Sequence, residues 1–535
     1  MHIIIPMSGF GERFRRAGYT VPKPLIQVEG KPIIAHVIDL FPGETKFTFI
    51  CNRDHLAAPA FRMREILEQL CPTGEIVGIE PHKLGPVNAV AKIAHRLDPD
   101  EPVIVNYCDF ACYWDYPAFK AMVEQTACDG AIACYRGFHP HMLGSVNYAY
   151  VREQDGWIQD IQEKQPYTDR PMEEYASSGT YYFRSGALVQ EYFARAMRPD
   201  LALNGEYYVS LAYKPMLEDN RRIAVFPVQH FMQWGTPEDL ADYQGVSDIF
   251  RRLAIDEQTP ARHDGAVMIP MAGLGSRFAR EGYLAPKPLI PVSGRPMAAQ
   301  AAADLPHAPQ RIFILRRDLP EIDRITASLQ QEFPDCRLVM LDAMTDGQAR
   351  TCLMGLDSVD LTKPLTIGAC DSGVLYDSGA FDALMVDPAT DVIVWGARDH
   401  PGAARHPHMY GWIAADGNRV TGVSVKTPLR DPSQDPIVIG AFTFKRAGDF
   451  AASAERLIAR GGRVNDELYV DSCINDALAL GLSVRLFEVD SYLCWGTPDD
   501  LRRYEYWQEC FDKWNSHIYQ REFDQDFRVP ALEDK

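Results

Sequence analysis

The stretch IPMSGFGERFRRAGYTVPKPLIQVEGKP at residues 5–32 returns at 269–296 as IPMAGLGSRFAREGYLAPKPLIPVSGRP, identical at 18 of 28 positions without a gap. Other segments recur in the same order: IVNYCDF (104–110) and TIGACDS (366–372), HPHM (139–142 and 406–409), SSGTYYF (177–183) and VIGAFTF (438–444), NGEYYVS (204–210) and NDELYVD (465–471), QWGTPEDL (233–240) and CWGTPDDL (494–501). The offset drifts only between 261 and 267 residues. That is too long a period for a solenoid and matches a domain carried twice. The expected organisation is one domain at 1–254, a polar linker at 255–265, a second domain at 266–507 and an aromatic, charged tail at 508–535. The tail is expected to form a helix that covers a sheet edge or meets another subunit.

Each copy opens on a short apolar run, HIIIP in the first, of the type that forms a buried strand. Glycine loop, helical stripe (Ile33, Ile34, Val37, Ile38, Phe41) and further strands (KFTFICN, EIVGIE, PVIVNYCD) follow. This alternation predicts an α/β fold, two Rossmann-like domains with mixed, mostly parallel sheets covered on both faces. Ligands of such sheets bind at the carboxyl ends of strands, where the glycine loop and Asp109 fall.

Composition narrows the partners. The net charge of −19 over 535 residues argues against wrapping nucleic acid or an anionic membrane. No apolar run is long enough to cross a bilayer, and the chain reads as cytoplasmic. Twelve cysteines without CxxC pairs, Cys108 and Cys112 being nearest, read as structural thiols. Phosphate chemistry would therefore have to rest on a few placed cations.

The loop between first strand and helix supplies them. Glycines there let backbone N–H groups approach a phosphate. A dinucleotide fingerprint would need an acid about 20 residues on, which the second copy lacks because Ser293 stands there. A Walker loop would need Gly-Lys-Ser/Thr, and neither copy has it. Both copies keep an arginine two residues after the second glycine, Arg13 and Arg277, and a lysine twelve after it, Lys23 and Lys287. The arginine offers a planar fork to phosphate oxygens. The lysine lies between two prolines, which predicts a stiff, extended backbone.

The pattern G-x-G-x-R-F…P-K-P-L…V-x-G-K/R-P resembles the signature of sugar-phosphate nucleotidyltransferases, the nucleoside-diphosphate-sugar pyrophosphorylases, over nearly all of both copies. The resemblance implies transfer of a nucleoside monophosphate from an NTP to a phosphorylated acceptor, with Mg²⁺ as cofactor and pyrophosphate as by-product. It implies that Gly9, Gly11, Arg13 and Lys23, and in the second copy Gly273, Gly275, Arg277 and Lys287, hold the triphosphate, and that Gly85 and Gly347 open the base-contacting helix. Asp109 and Asp371 become the metal carboxylates; the family's second metal acid falls where this chain has Gln233 and Cys494. Asp239 and Asp500, close by, read as first-turn acids of a helix. Glu163 and Lys164 resemble the family's acceptor-binding pair, with Gly179 and Gly440 beside the acceptor. The second copy keeps Lys426 but has Val425 in the acid's place, which implies a different acceptor. His139 and His141 of the first HPHM are expected on one side of an extended segment or in a turn, a turn being the default. Similar sequences supply precursors for capsule or other surface polysaccharide. A single active half (the first), a nucleotide-sugar-sensing scaffold and a related glycosyltransferase are the alternatives; the last would show a D-x-D motif, absent from NYCDFAC and GACDSGV. A homo-oligomer is compatible with all of these.

Overall fold

The computed structural model describes residues 1–255, 259–525, 527 and 528. They form two compact units, Met1–Asp248 with Cys510–Ile518, and Ile249–Glu509 with the residues from Tyr519 on.

In the first unit nine strands make one sheet: β1 (His2–Met7), β2 (Lys46–Asn52), β3 (Glu75–Ile79), β4 (Val103–Asn106), β5 (Gly130–Tyr135), β6 (Ala149–Gln154), β7 (Trp157–Glu163), β8 (Tyr175–Phe183) and β9 (Ile223–Pro227). Their spatial order is β3-β2-β1-β4-β8-β5-β9-β7-β6. Pairing is parallel across β3, β2, β1 and β4 and between β5 and β9, and antiparallel around β8 and in the β6–β7 hairpin. The centre of the sheet is covered on both faces, so β1 is apolar without alternation and Ile3, Ile4 and Ile5 are fully buried.

The second unit repeats the plan with β10 (Ala266–Pro270), β11 (Gln310–Arg316), β12 (Arg337–Leu341), β13 (Leu365–Ile367), β14 (Val392–Ala397), β15 (Gly411–Asp416), β16 (Arg419–Val425), β17 (Ile437–Phe444) and β18 (Val484–Glu488). The order is β12-β11-β10-β13-β17-β14-β18-β16-β15, the same permutation strand for strand. The fold is thus two tandem, mixed, Rossmann-like α/β domains.

Beside each sheet lies a short antiparallel ribbon. Phe110–Tyr113 pairs with His230–Gln233 in the first unit, and Ser372–Leu375 with Ser491–Cys494 in the second. Each ribbon fastens the strand-end aspartate to the WGTP segment, since Trp234 N–H donates to Asp109 O and Trp495 N–H to Asp371 O, both at 3.0 Å.

The division between units falls after Asp248, inside the helix Pro237–Ile255, and so before the expected linker at 255–265, of which residues 256–258 lie outside the described residues. The helix runs past the division because its last turns carry apolar side chains: Phe250 packs against Tyr504 and Tyr519 with ring centroids 5.2 and 4.8 Å apart. In the tail, helix Pro498–Lys513 stops earlier than expected, and Trp514 and His517 continue in turns that bond back to Phe511 and Trp514. Residues 526 and 529–535 of the tail lie outside the described residues. Trp514 lies 5.3 Å from His36 and 6.1 Å from Trp234, behind the Asp109 ribbon.

Candidate active sites

In the first unit β1 runs into the glycine loop. Gly11 takes left-handed backbone angles (φ 62°) and caps the short helix Glu12–Arg16, which exposes Arg13. Gly275 does the same (φ 62°) before Ser276–Arg280, with Arg277 exposed. Gly9 and Gly273 are exposed at the head of each loop. The buried member of each helix is the phenylalanine after the arginine. Phe14 lies beneath the Lys23 ammonium at 5.7 Å from the ring centre, and Phe278 beneath Lys287 at 5.5 Å.

The lysines are not on extended backbone as expected. Pro22 is extended, but Lys23–Leu25 is one turn of 3-10 helix, closed by Leu25 N–H to Pro22 O at 2.8 Å; Lys287–Leu289 is identical in kind. A proline at the second position of such a turn costs no hydrogen bond, so the segment stays rigid in a tighter form.

From that turn Lys23 Nζ donates to Asp109 Oδ2 at 2.6 Å and to the carbonyl of Gly235 at 3.1 Å. Lys287 Nζ donates to Asp371 Oδ2 at 2.5 Å and to Gly496 O at 3.2 Å. Burial works against the Lys287 charge, but Asp371 more than offsets it and the lysine is held above its ordinary pKa. The expected triphosphate lysine and the expected metal carboxylate are therefore brought together in both units. Gly235 and Gly496, part of each site through their carbonyls, were not anticipated; the repeated WGTP was the available signal.

Asp239 and Asp500 are the first-turn acids expected. Thr236 Oγ1 donates to Asp239 Oδ2 at 2.8 Å and accepts from its N–H at 3.1 Å, and Thr497 and Asp500 repeat the cap. Burial pushes the Asp239 carboxyl up to about 6. Gln233 reaches the acid's neighbourhood from the ribbon: a Cβ on Gly235 would fall 2.8 Å from Gln233 Nε2 and 3.3 Å from Asp109 Oδ2. Cys494 Sγ donates to Asp500 at 3.5 Å. Burial raises Cys108 to about 12, the state of a structural thiol.

Gly85 and Gly347 open helices Gly85–Ala91 and Gln348–Met354, and the structure gives both a packing reason. The backbone of Tyr207 crosses Gly85 so closely that a Cβ would lie 2.6 Å from Tyr207 O, and Val87 N–H donates to that carbonyl. Leu468 crosses Gly347 in the same way and accepts from Ala349 N–H at 3.0 Å. Gly179 (φ 101°) and Gly440 (φ 79°) sit at the irregularities of β8 and β17.

Glu163 ends β7, and its carboxylate accepts from Ser210 Oγ at 2.6 Å; burial raises its pKa. Lys164 follows in left-handed backbone (φ 58°) and donates from Nζ to Tyr208 Oη at 2.6 Å. Lys426 is also left-handed (φ 60°) and lies 5.7 Å from the ring centre of Tyr469. Two non-glycine residues held at positive φ in matching places is strain of the kind that collects at functional sites. Tyr208, Tyr469, Ser210 and Asp471 were missed in the sequence, although NGEYYVS and NDELYVD pointed to them.

Each HPHM is a turn. Pro140–Leu143 and Pro407–Met409 are 3-10 turns, and only His139 is extended. His139 and His141 pack on Tyr135 at 4.6 and 5.2 Å, and burial lowers both pKa values, His139 to about 4. Among the described residues no three His, Cys, Asp or Glu side chains gather to hold a metal, and no helix is long and apolar enough to cross a membrane.

Residues 3–228, the greater part of the first unit, match the family model described as nucleotidyl transferase. The mannose-1-phosphate guanylyltransferase catalytic subunit beta of Drosophila pseudoobscura pseudoobscura is 27% identical over 172 residues, 30% of this chain and 43% of that protein. Its counterpart in Danio rerio is 26% identical, over 28% of this chain and 41% of that protein. The chain thus spans about two fifths of the length of these relatives. Among solved structures, a nucleoside-diphosphate-sugar pyrophosphorylase from Vibrio cholerae RC9 is similar with TM-score 0.37 and 20% identity, over 44% of this chain and 98% of that one.

Proposed function

We propose that each unit transfers a nucleoside monophosphate from an NTP to a phosphorylated acceptor, releasing pyrophosphate, and that the two units take different acceptors. The observation that carries this reading is the doubled constellation: left-handed glycine loop, exposed arginine, lysine clamped between strand-end aspartate and WGTP carbonyl, and strained lysine, in both units.

In this reading an acceptor phosphate oxygen attacks the α-phosphorus in line, one P–O bond forms, and the bond to pyrophosphate breaks. Arg13 or Arg277 offsets charge on the departing pyrophosphate. Lys23 or Lys287 offsets charge at the α-phosphate, where two anions meet; its one-turn mounting keeps it in place before substrate arrives. Lys164 or Lys426 receives the acceptor. The donor set suits a hard divalent cation: one carboxylate, Asp109 or Asp371, with substrate phosphates completing the shell, is an ordinary Mg²⁺ arrangement. When bound, Mg²⁺ would neutralise phosphate charge. A role in supplying surface polysaccharide from the cytoplasm fits this chemistry.

A first-unit-only reading is favoured by one difference. Tyr107 and Tyr181, whose hydroxyls lie near Glu163, correspond to Ala369 and Phe442 in the second unit. The test is pyrophosphate release over a panel of NTPs with mannose 1-phosphate, glucose 1-phosphate and inositol 1-phosphate, using the intact protein, Arg13→Ala, Arg277→Ala and the double variant. Each single change should abolish turnover of one acceptor set and the double change all of it. Undiminished release in the double variant overturns the reading, and sensitivity to Arg13→Ala alone selects the first-unit-only form.

A further inference from the structure

Three positions that differ between the units are exchanged as a set. In the first unit Glu163 of β7 stands opposite Ala149 of β6, and its carboxylate is met by Ser210. In the second unit the same rung pairs Val425 with Gly411, and Asp471 occupies the place of Ser210. A Cβ on Gly411 would collide with the Asp471 carboxylate, so an alanine there would push the acid aside. The acid has left the strand end, the facing residue has acquired one, and the alanine between them has lost its methyl. A first-turn acid of helix Val470–Ala479 serving that helix alone would not need the strand across from it cleared.

Lys426 completes the arrangement. Its backbone N–H donates to Tyr410 O at 3.0 Å, as Lys164 N–H donates to Tyr148 O at 2.8 Å, so the two lysines hold matching backbone positions, while Lys426 Nζ donates to Met409 O at 2.5 Å and Lys164 Nζ to Tyr208 Oη. Burial lowers the Lys426 pKa, Asp471 is the strongest charge opposing that fall, and Arg277 adds to it. Loop arginine, acceptor lysine and Asp471 therefore lie within electrostatic reach of one another. Ala369 and Phe442 stand where the first unit has Tyr107 and Tyr181, so two hydroxyls of the first unit have no counterpart in the second.

We infer that Asp471 is the acceptor-site carboxylate of the second unit, transposed from strand to helix, and that with Lys426 it selects a phosphorylated acceptor less densely hydroxylated than a hexose phosphate. This rests on reading the second unit as a transferase. Asp471 accepts a hydroxyl or ammonium donor of the acceptor, while Lys426 faces its phosphate.

The experiment uses the full chain with Arg13→Ala and Lys23→Ala, which silences the first unit, and measures pyrophosphate release with mannose 1-phosphate, glycerol 3-phosphate and phosphoethanolamine. Asp471→Asn should raise the acceptor KM at least tenfold and leave the NTP KM within twofold. The triple variant Gly411→Ala/Val425→Glu/Asp471→Ser, which installs the first unit's set, should recover the acceptor KM and shift preference toward mannose 1-phosphate. An acceptor KM unchanged in Asp471→Asn, or an NTP KM that rises equally, overturns the inference. If no probe supports release, calorimetric titration of the same probes decides: tenfold weaker binding in Asp471→Asn upholds the carboxylate while the transferase reading falls, and no binding at all sinks both.

Discussion

Lys23 Nζ and Asp109 Oδ2 are 2.6 Å apart, with 21% and 24% of their side chains exposed. A partly exposed pair of this kind contributes at most about 1 kcal/mol to stability. Its value is positional: the aspartate and the Gly235 carbonyl hold the ammonium in one place, which under the proposed function is where the α-phosphate would arrive. Lys23→Met should lower pyrophosphate release by the first unit by about 10²–10³-fold while shifting the urea midpoint little. A rate within twofold of the parent would remove Lys23 from the chemistry.

Gly11 and Gly275 share φ 62°, yet their surroundings differ. A Cβ on Gly11 would lie 4.0 Å from Lys23 Cβ, and one on Gly275 only 2.8 Å from Lys287 Cβ. Gly11→Ala should cost only the left-handed penalty of about 1–2 kcal/mol, whereas Gly275→Ala must also displace Lys287. Stopped-flow turnover of the two units should show the second harmed more. Equal losses would mean that the collision is absorbed elsewhere.

Gly85 and Gly347 are held at φ 83° and 140° against crossing backbone, which cannot swing aside as a side chain can. Alanine at either position should destabilise by about 2–4 kcal/mol, read by urea denaturation, with nucleotide affinity lost in proportion. A stable Gly347→Ala protein would show that the Leu468 segment yields freely.

His400 lies 5.6 Å from Tyr410 and 5.2 Å from Tyr492, and burial, aided by Arg503 and Arg405, lowers its pKa to about 3. Between pH 3 and 6.5 the unfolded chain therefore binds more protons than the native one. The stability that neutral His400 confers is complete above about pH 6.5 and drains away as pH falls toward 3. The urea midpoint should drop less between pH 7 and 5 in His400→Phe than in the parent. An identical drop would show that His400 is not the group responsible.

Much of this was legible because the chain states its plan twice. A chance strand-loop-helix reading becomes firm when Ile5–Pro32 and Ile269–Pro296 agree, and the same repetition singled out Arg13 and Lys23 as candidate site residues. What escaped was geometry that spacing does not encode. Two prolines around Lys23 imply rigidity, but whether the backbone is extended or a single 3-10 turn depends on the bond from Leu25 N–H to Pro22 O. The repeated WGTP marked the segment of Gly235, but not that its carbonyl, a group every residue carries, would meet the lysine. Val425 reads as a lost acid because Asp471, the carboxylate inferred to replace it, lies 46 residues later and comes near that rung only through folding.

Lys164 and Lys426 both tolerate a backbone twist that glycine or asparagine would adopt more cheaply. A library of this protein screened for heat tolerance alone should therefore drift toward those residues at the two sites, while a library screened for turnover should resist the drift. Under the proposed function, the pair would mark where the folding optimum and the working optimum of the chain part company.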